Sequence, residues 1–256
     1  MTYSGDNIQE LKNVLVMLSG GRDSFLATCR LIEQGNHVYM VTYDNGCMSN
    51  TEAVTQVAKR IIKKYGSSRA SFIGIYSMPT YLYRLQETYL YRTTSESSKQ
   101  YPNLIPAQLS CLVCRTGMYI EAIAYCKTHN IQCMAEGARK IQKFIVELPE
   151  MIERYKMLTK NNEIDLILPV YELSDDWERK LELADRGYIP KTLEPQCWLG
   201  CPLRQELSPS EIMSLVDYYD NEIEPKLQKI INDKVAMYSF EENCTIEGNS
   251  ENYNEV

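Results

Sequence analysis

A six-residue break, Ser19-Gly20-Gly21-Arg22-Asp23-Ser24, organises this chain. Before it runs Asn13-Val14-Leu15-Val16-Met17-Leu18, an apolar run with the length and branching of a buried parallel strand. After it, residues 25–32 carry helical spacing, and Gly35 supplies a stop just past the helix end. Two glycines and two serine hydroxyls therefore fall where a strand hands over to a helix N-terminus. That handover aims backbone N–H groups and the positive end of the helix dipole at one point, a setting that suits a phosphate. It is not a Walker A loop, because no Gly-x4-Gly-Lys-Ser/Thr string occurs.

The alternation continues down the chain. Strands are predicted at 37–43, 70–75, 132–135 and 164–168. Helices are predicted from Asn50 as N-cap to Lys64, over 79–92, 116–129, 149–161 and 174–186, with Gly66 and Gly187 as stops. Between them, 93–110 is polar, carries Pro102 and Pro106, and reads as a long loop. Such an order predicts an α/β fold: a doubly wound, mainly parallel, Rossmann-like sheet with helices on both faces. Ligands of such sheets bind at the carboxyl ends of the strands, where the Ser19–Ser24 turn lies. The boundaries read as a nucleotide-binding domain over 1–205, with 93–115 as the long loop, and a helical segment over 206–240. In that segment Ser208 and Glu211 form a capping box and Pro225 ends or kinks the helix. An acidic, Asn-rich tail over 241–256 reads as disordered.

Composition narrows the class. Across 256 residues, 44% hydrophobic and 24% charged content is that of a soluble globular chain. No apolar run is long enough to span a membrane and residues 1–6 lack a signal peptide's apolar core, so a cytoplasmic location is expected. A net charge of −7 argues against gripping nucleic acid by charge alone. Local basic groups at Lys59, Arg60, Lys63, Lys64 and at Arg139, Lys140, Lys143 keep RNA open as a partner.

Nine cysteines in a cytoplasmic chain point away from a disulfide framework. Cys111-Leu112-Val113-Cys114 and Cys197-Trp198-Leu199-Gly200-Cys201 both read as loop segments near the nucleotide end of the sheet. Cys111, Cys114, Cys197 and Cys201 are therefore candidate ligands of one metal centre. Four thiolates suit a closed zinc site, and three suit a 4Fe–4S cluster with one open iron. Cys29, Cys126, Cys133 and Cys244 stand singly and read as structural; Cys47 lies near the site with no identified role. Neither His37 nor His129 belongs to a catalytic triad pattern. The tyrosines at 81, 83, 89 and 91 read as helix packing, with base stacking as the other use of such a stripe.

The strand, the Ser-Gly-Gly-x-Asp-Ser turn and the helix together resemble the PP-loop ATP pyrophosphatases, a superfamily with an adenine-nucleotide α-hydrolase-like fold. The resemblance covers roughly residues 13–205. It implies ATP with Mg²⁺, held by Ser19, Gly20, Gly21, Arg22, Asp23 and Ser24, with Asp23 and Ser24 in the catalytic role. Tyr43 and Asp44, at the end of the second strand, become candidates for adenine and ribose, and Gly137 joins the nucleotide set. It also implies adenylation of a substrate oxygen with release of pyrophosphate, then replacement of that oxygen. The CxxC and the later cysteines are similar to those of iron–sulfur tRNA 2-thiocytidine synthetases, implying sulfur insertion into a nucleobase, free or in tRNA, and a sulfur-donor protein. Where those enzymes carry a histidine and an acidic pair after the fourth strand, this chain has Glu136-Gly137-Ala138-Arg139-Lys140. A second relative in outline, 7-cyano-7-deazaguanine synthase, implies an ammonia-using ligase with structural zinc. A non-catalytic nucleotide-binding subunit and a homodimer are the other readings.

Overall fold

A computed structural model describes residues 12–78, 100–188, 196–197 and 206–250. Its frame is a five-stranded sheet built around β1 (Asn13–Met17), which is flanked by β2 (His37–Asp44) and, further on in the chain, β5 (Cys133–Glu136). A short β3 (Met48–Ser49) and the outer β4 (Ala70–Ser77) follow β2, and β6 (Asp165–Ile167) follows β5. Every ladder of the sheet is parallel and the spatial order is β4-β2-β1-β5-β6. The doubly wound reading therefore holds, with the order reversing between β1 and β5.

β1 shows why both faces are covered. Val14 and Val16 join one apolar cluster, while Leu15 and Met17 join the other. This is the period-two alternation of a strand buried on both sides. The first face is closed by α1 (Arg22–Glu33) and α2 (Ala53–Tyr65), through Phe25, Leu26, Val57 and Ile61. The second face is closed by α3 (Pro106–Thr128) and α4 (Pro149–Asn161), through Leu112, Ile120, Met151 and Tyr155. Next, α5 (Asp176–Asp185) returns to the first face with Leu183. A two-residue β7 (Gln196–Cys197) pairs antiparallel with β3. Finally α6 (Pro209–Tyr218) and α7 (Glu224–Ser250) add Leu215, Leu227 and Ile231 to the second face.

Several boundaries differ from the sequence reading. The helix predicted from residue 116 begins ten residues earlier, at Pro106, so Cys111 and Cys114 lie inside α3 rather than in a loop. Proline costs nothing at a first helical position, where the N–H has no partner in any case. One turn on, Gln108 Oε1 accepts the Ile105 N–H at 3.0 Å and closes the end. The helix predicted from Asn50 begins at Ala53. Asn50 takes a left-handed φ of 59° and its carbonyl accepts the Ala53 N–H.

At Pro225 the chain does not break: a π-helical turn over Tyr219–Ile223 links α6 to α7 and absorbs the missing N–H. α7 continues to Ser250, through the part of the acidic tail before 251. It is tied to α3 where Tyr238 donates to Glu121 at 2.8 Å and Lys234 pairs with the same carboxylate at 3.1 Å. The predicted helix over 79–92, with Tyr81, Tyr83, Tyr89 and Tyr91, and the loop up to residue 99 lie outside the described residues.

Candidate nucleotide-binding active site

The turn after β1 is tied together by its own hydroxyls. Ser19 Oγ and Ser24 Oγ are 2.9 Å apart. Ser24 Oγ donates to the Gly21 carbonyl at 3.0 Å, and Gly21 N–H donates to Ser19 Oγ at 3.3 Å. Gly20 holds a φ of 80°, a conformation that a side chain would strain. From below, Thr42 on β2 donates to the Leu18 carbonyl at 2.7 Å and fixes the strand end. The first-turn N–H groups of α1, which have no carbonyl within the helix to bond, then point out of the carboxyl end of the sheet.

Gly137 explains itself in this setting. A Cβ there would sit 2.4 Å from the Ser24 nitrogen and 2.6 Å from the Asp23 carbonyl carbon. The end of β5 and the start of α1 thus touch backbone to backbone, which only glycine permits.

Between them opens a cavity of about 520 Å³, at the point where the strand order reverses. The turn and α1 furnish Ser19, Asp23 and Ser24; the chain after β5 furnishes Gly137, Arg139 and Gln142; α3 furnishes Arg115; and α5 furnishes Arg179. Four arginines (Arg22, Arg115, Arg139, Arg179) face three carboxyl groups (Asp23, Glu136, Glu147). Burial pushes the Glu147 carboxyl up to about 8, against the pull of Arg115. Glu136 is buried too, and accepts from Arg115 at 2.5 Å and from Tyr119 at 2.6 Å. The surplus of guanidinium suits a polyphosphate.

Asp23 is the centre of a clamp. Its carboxylate accepts from Arg179 Nη1 at 2.9 Å and from Gln142 Nε2 at 2.6 Å, with Arg139 Nη1 at 3.6 Å. Arg139 is buried and also donates twice to the Leu173 carbonyl. Arg179 spans Asp23 and Asp176, while its buried Nε has no partner. Sequence reasoning missed Arg179, which sits in the charged helix 176–185 with nothing to mark it. Arg139, which the sequence marked only as one of a local basic group, is 3% exposed and sits inside the site. Lys143, in contrast, is exposed and pairs with Glu206.

Two candidates stand elsewhere. Tyr43 is buried in the second-face core beside Tyr76, not in the lining of the cavity. Asp44 is absent from that lining too: it accepts the Gly46 N–H at 2.9 Å and the Thr51 hydroxyl at 3.3 Å, the work of a turn-forming side chain.

The cysteines gather around a residue not singled out in the sequence. Asn45 is buried; its amide nitrogen lies 3.1 Å from Cys114 Sγ and 3.8 Å from Cys197 Sγ, and its carbonyl accepts the Cys47 N–H at 2.8 Å. The β3–β7 pairing sets Cys197 opposite Met48, next to Cys47. Cys111 lies one helical turn before Arg115, whose guanidinium lines the cavity. Burial pushes the Cys111 thiol up to about 12 and the Cys114 thiol to about 11, so both are protonated without a metal. Cys201 lies outside the described residues, and among those described no three metal-binding side chains stand close enough to hold an ion. The donors are the soft thiols that zinc or an iron–sulfur cluster takes, but the described set does not close a site. Cys29, Cys126 and Cys133 are buried, as single structural thiols.

A self-bonded Ser-Gly-Gly-x-Asp-Ser turn at the switch point of a parallel sheet defines the PP-loop ATP pyrophosphatase class. Within that class the chain belongs to the thiamine biosynthesis protein (ThiI) family, whose model matches residues 10–143. No curated protein matches it.

Among solved structures, a 4-thiouridine synthetase crystallised with RNA and bound ATP shares the fold. Its TM-score is 0.61 at 16% identity, over 88% of this chain and 53% of that one. This chain thus spans about half the length of that synthetase. Two more distant matches are the NMN synthetase of Francisella tularensis, with a TM-score of 0.45, 13% identity, 89% of this chain and 85% of that one, and a predicted tRNA methyltransferase subunit from Methanocaldococcus jannaschii, with 0.42, 19%, 67% and 74%. No helix among the described residues is long and apolar enough to cross a membrane.

Proposed function

We propose that this protein adenylates a carbonyl oxygen of a nucleobase in tRNA with ATP, releases pyrophosphate, and replaces that oxygen with sulfur. The observation that carries the reading is the shared helix α3. It presents Arg115 to the nucleotide cavity and, within one turn, Cys111 and Cys114 to the cysteine group. A nucleobase lying past Arg115 would meet the α-phosphate on one side and incoming sulfur on the other. The family match and the RNA-bound synthetase of like fold support tRNA as the carrier of that base.

In this account the chain positions and screens charge more than it forms bonds. First-turn N–H groups of α1 and the hydroxyls of Ser19 and Ser24 hold the phosphates. Arg179 and Arg139 neutralise the departing pyrophosphate, and Gln142 orients Asp23. The Asp23 carboxylate faces the cavity, and in exchange for Arg179 or Gln142 it would hold a magnesium ion that neutralises phosphate charge. Residues 1–205 form the catalytic unit, and the helices beyond close its second face. Cys111, Cys114, Cys197 and Cys201 are the proposed thiol centre, as a metal or cluster site or as the station where sulfur is received from a donor protein.

The test is pyrophosphate release on mixing the protein with ATP and an unmodified tRNA transcript. Release that depends on tRNA and disappears in Asp23→Asn supports the reading. ATP binding with no tRNA-dependent release refutes it.

A further inference from the structure

We propose that Glu147 is a further catalytic residue of this site, whose carboxylate takes the ring N–H proton of a lactam-type nucleobase as the adjacent carbonyl oxygen is adenylated. This rests on the reading of the cavity as an adenylating site.

The carboxyl groups lining the cavity are not alike. Asp23 is engaged by Arg179 and Gln142, and Glu136 by Arg115 and Tyr119. Glu147 is 7% exposed, and its Oε2 is buried with no hydrogen-bond partner. Its carboxyl accepts a hydrogen bond from the backbone N–H of Arg139. A buried carboxyl oxygen left open in this way costs stability and calls for a reason.

Its placement supplies one. The turn Ile145–Glu147 is anchored in the second-face core by Ile145 and Val146, and Tyr171 donates to the Glu147 carbonyl at 2.9 Å. The backbone is thus fixed while Glu147, like Arg115 of the cysteine-bearing helix, lines the cavity, with Oε2 itself buried in the wall. A nucleobase between the phosphates and the cysteines would present its edge to the Glu147 carboxyl.

The step balances. The carbonyl oxygen forms a bond to the α-phosphorus, and the bond from that phosphorus to pyrophosphate breaks with its electron pair. The ring N–H bond breaks, its electrons form the C=N double bond, and the proton passes to Glu147. A base whose ring nitrogen beside the carbonyl carries no hydrogen, as in cytosine, has no proton to give.

Burial does most to raise the basicity of Glu147, and the groups facing it adjust the result. Arg115 and the Arg139 N–H lower it, Glu136 and Asp23 raise it, and Cys111 and Tyr171 also feel its charge. The result, about 8, makes its carboxylate a far stronger base than an exposed one near neutral pH.

The experiment compares wild type, Glu147→Gln and Glu147→Asp, with ATP and an unmodified tRNA transcript, following single-turnover pyrophosphate release from pH 6 to 9. The expected loss in Glu147→Gln is on the order of 10² to 10⁴-fold in rate, with unchanged ATP and tRNA affinity. Glu147→Asp should recover part of it. The wild-type rate should climb with pH while that of Glu147→Gln stays flat. A Glu147→Gln rate within about threefold of wild type, or a parallel loss of ATP binding, overturns the role of Glu147 and leaves the adenylation reading standing. No tRNA-dependent release by wild type refutes the adenylation reading itself and this role with it.

Discussion

Adding one methyl group at Gly137 tests the packing that creates the nucleotide cavity. Its Cβ would lie 2.4 Å from the Ser24 nitrogen, 2.6 Å from the Asp23 carbonyl carbon and 2.7 Å from Ser24 Cα. Ordinary contact begins near 3.4 Å, so roughly 1 Å of separation must be found. All three atoms are backbone, so no flexible side chain can give way. The end of β5 is held in register with β1 at Met17–Glu136, and the Phe25 N–H bonds to the Gly21 carbonyl at 3.0 Å. Either the strand pair or the helix start must shift.

Overpacking of a core costs about 1–3 kcal/mol, and a backbone collision belongs at the top of that range. For a chain of this size about 3 kcal/mol lowers Tm by roughly 6–12 °C. Displacing the phosphate-binding turn should also weaken ATP by at least about tenfold, which needs only about 1.4 kcal/mol. Thermal melts and ATP titration of Gly137→Ala measure both. Gly187→Ala is the control: its φ is 74° and nothing lies within 4 Å of its Cβ, so it should cost about 1 kcal/mol and leave ATP binding intact. A Gly137→Ala protein that melts and binds ATP like wild type would refute the close approach and the site built on it.

Four further outcomes follow from the same geometry. Asp23→Asn should abolish pyrophosphate release and also cost about 1–3 kcal/mol in a denaturant titration, because Arg139 and Arg179 lose a charged partner in a buried clamp. Arg179→Met should weaken ATP more than AMP in calorimetry if its guanidinium has the proposed role at the outer phosphates; equal weakening would place it elsewhere. Glu147 is raised from 4.5 to about 8 on folding, so its contribution to stability is complete below pH 4.5 and is lost as pH rises through 8. Stability of Glu147→Gln relative to wild type should therefore increase between pH 5 and 9, by no more than about 4–5 kcal/mol; a pH-independent difference contradicts the burial of that carboxyl. Cys111→Ala with Cys114→Ala should strip zinc, or iron with acid-labile sulfide, from protein purified without oxygen; unchanged metal content would remove these thiols from the ligand set.

The parts of this molecule legible in its sequence are those with a local cause. A strand, two glycines and a helix in succession mark the phosphate turn at Ser19–Ser24, because each conformation is set within a few residues. The β1 run and the alternating order gave away the parallel sheet in the same way, while its strand order, with the reversal beside β1, came only with the structure. Arg179 reaches Asp23 across 156 positions and Asn45 meets Cys114 across 69, and no spacing rule encodes such pairs. Residues 106–115 hid a helix because α3 is buried on several sides and lacks a clean apolar stripe, and because Pro106 reads as a breaker until its first-turn position is known. Glu147 gave no signal at all: its importance comes from burial and from an oxygen with nothing to bind.

The central claim is that adenylation here ends in sulfur replacing oxygen. The direct measurement supplies the protein with ATP, an unmodified tRNA transcript, and labelled sulfide or labelled ammonia, then digests the RNA and analyses its nucleosides by mass spectrometry. The account predicts a thionucleoside carrying the sulfide label, with one AMP and one pyrophosphate formed per sulfur. Nitrogen label in the product, or AMP formed with no change in the RNA, would contradict it.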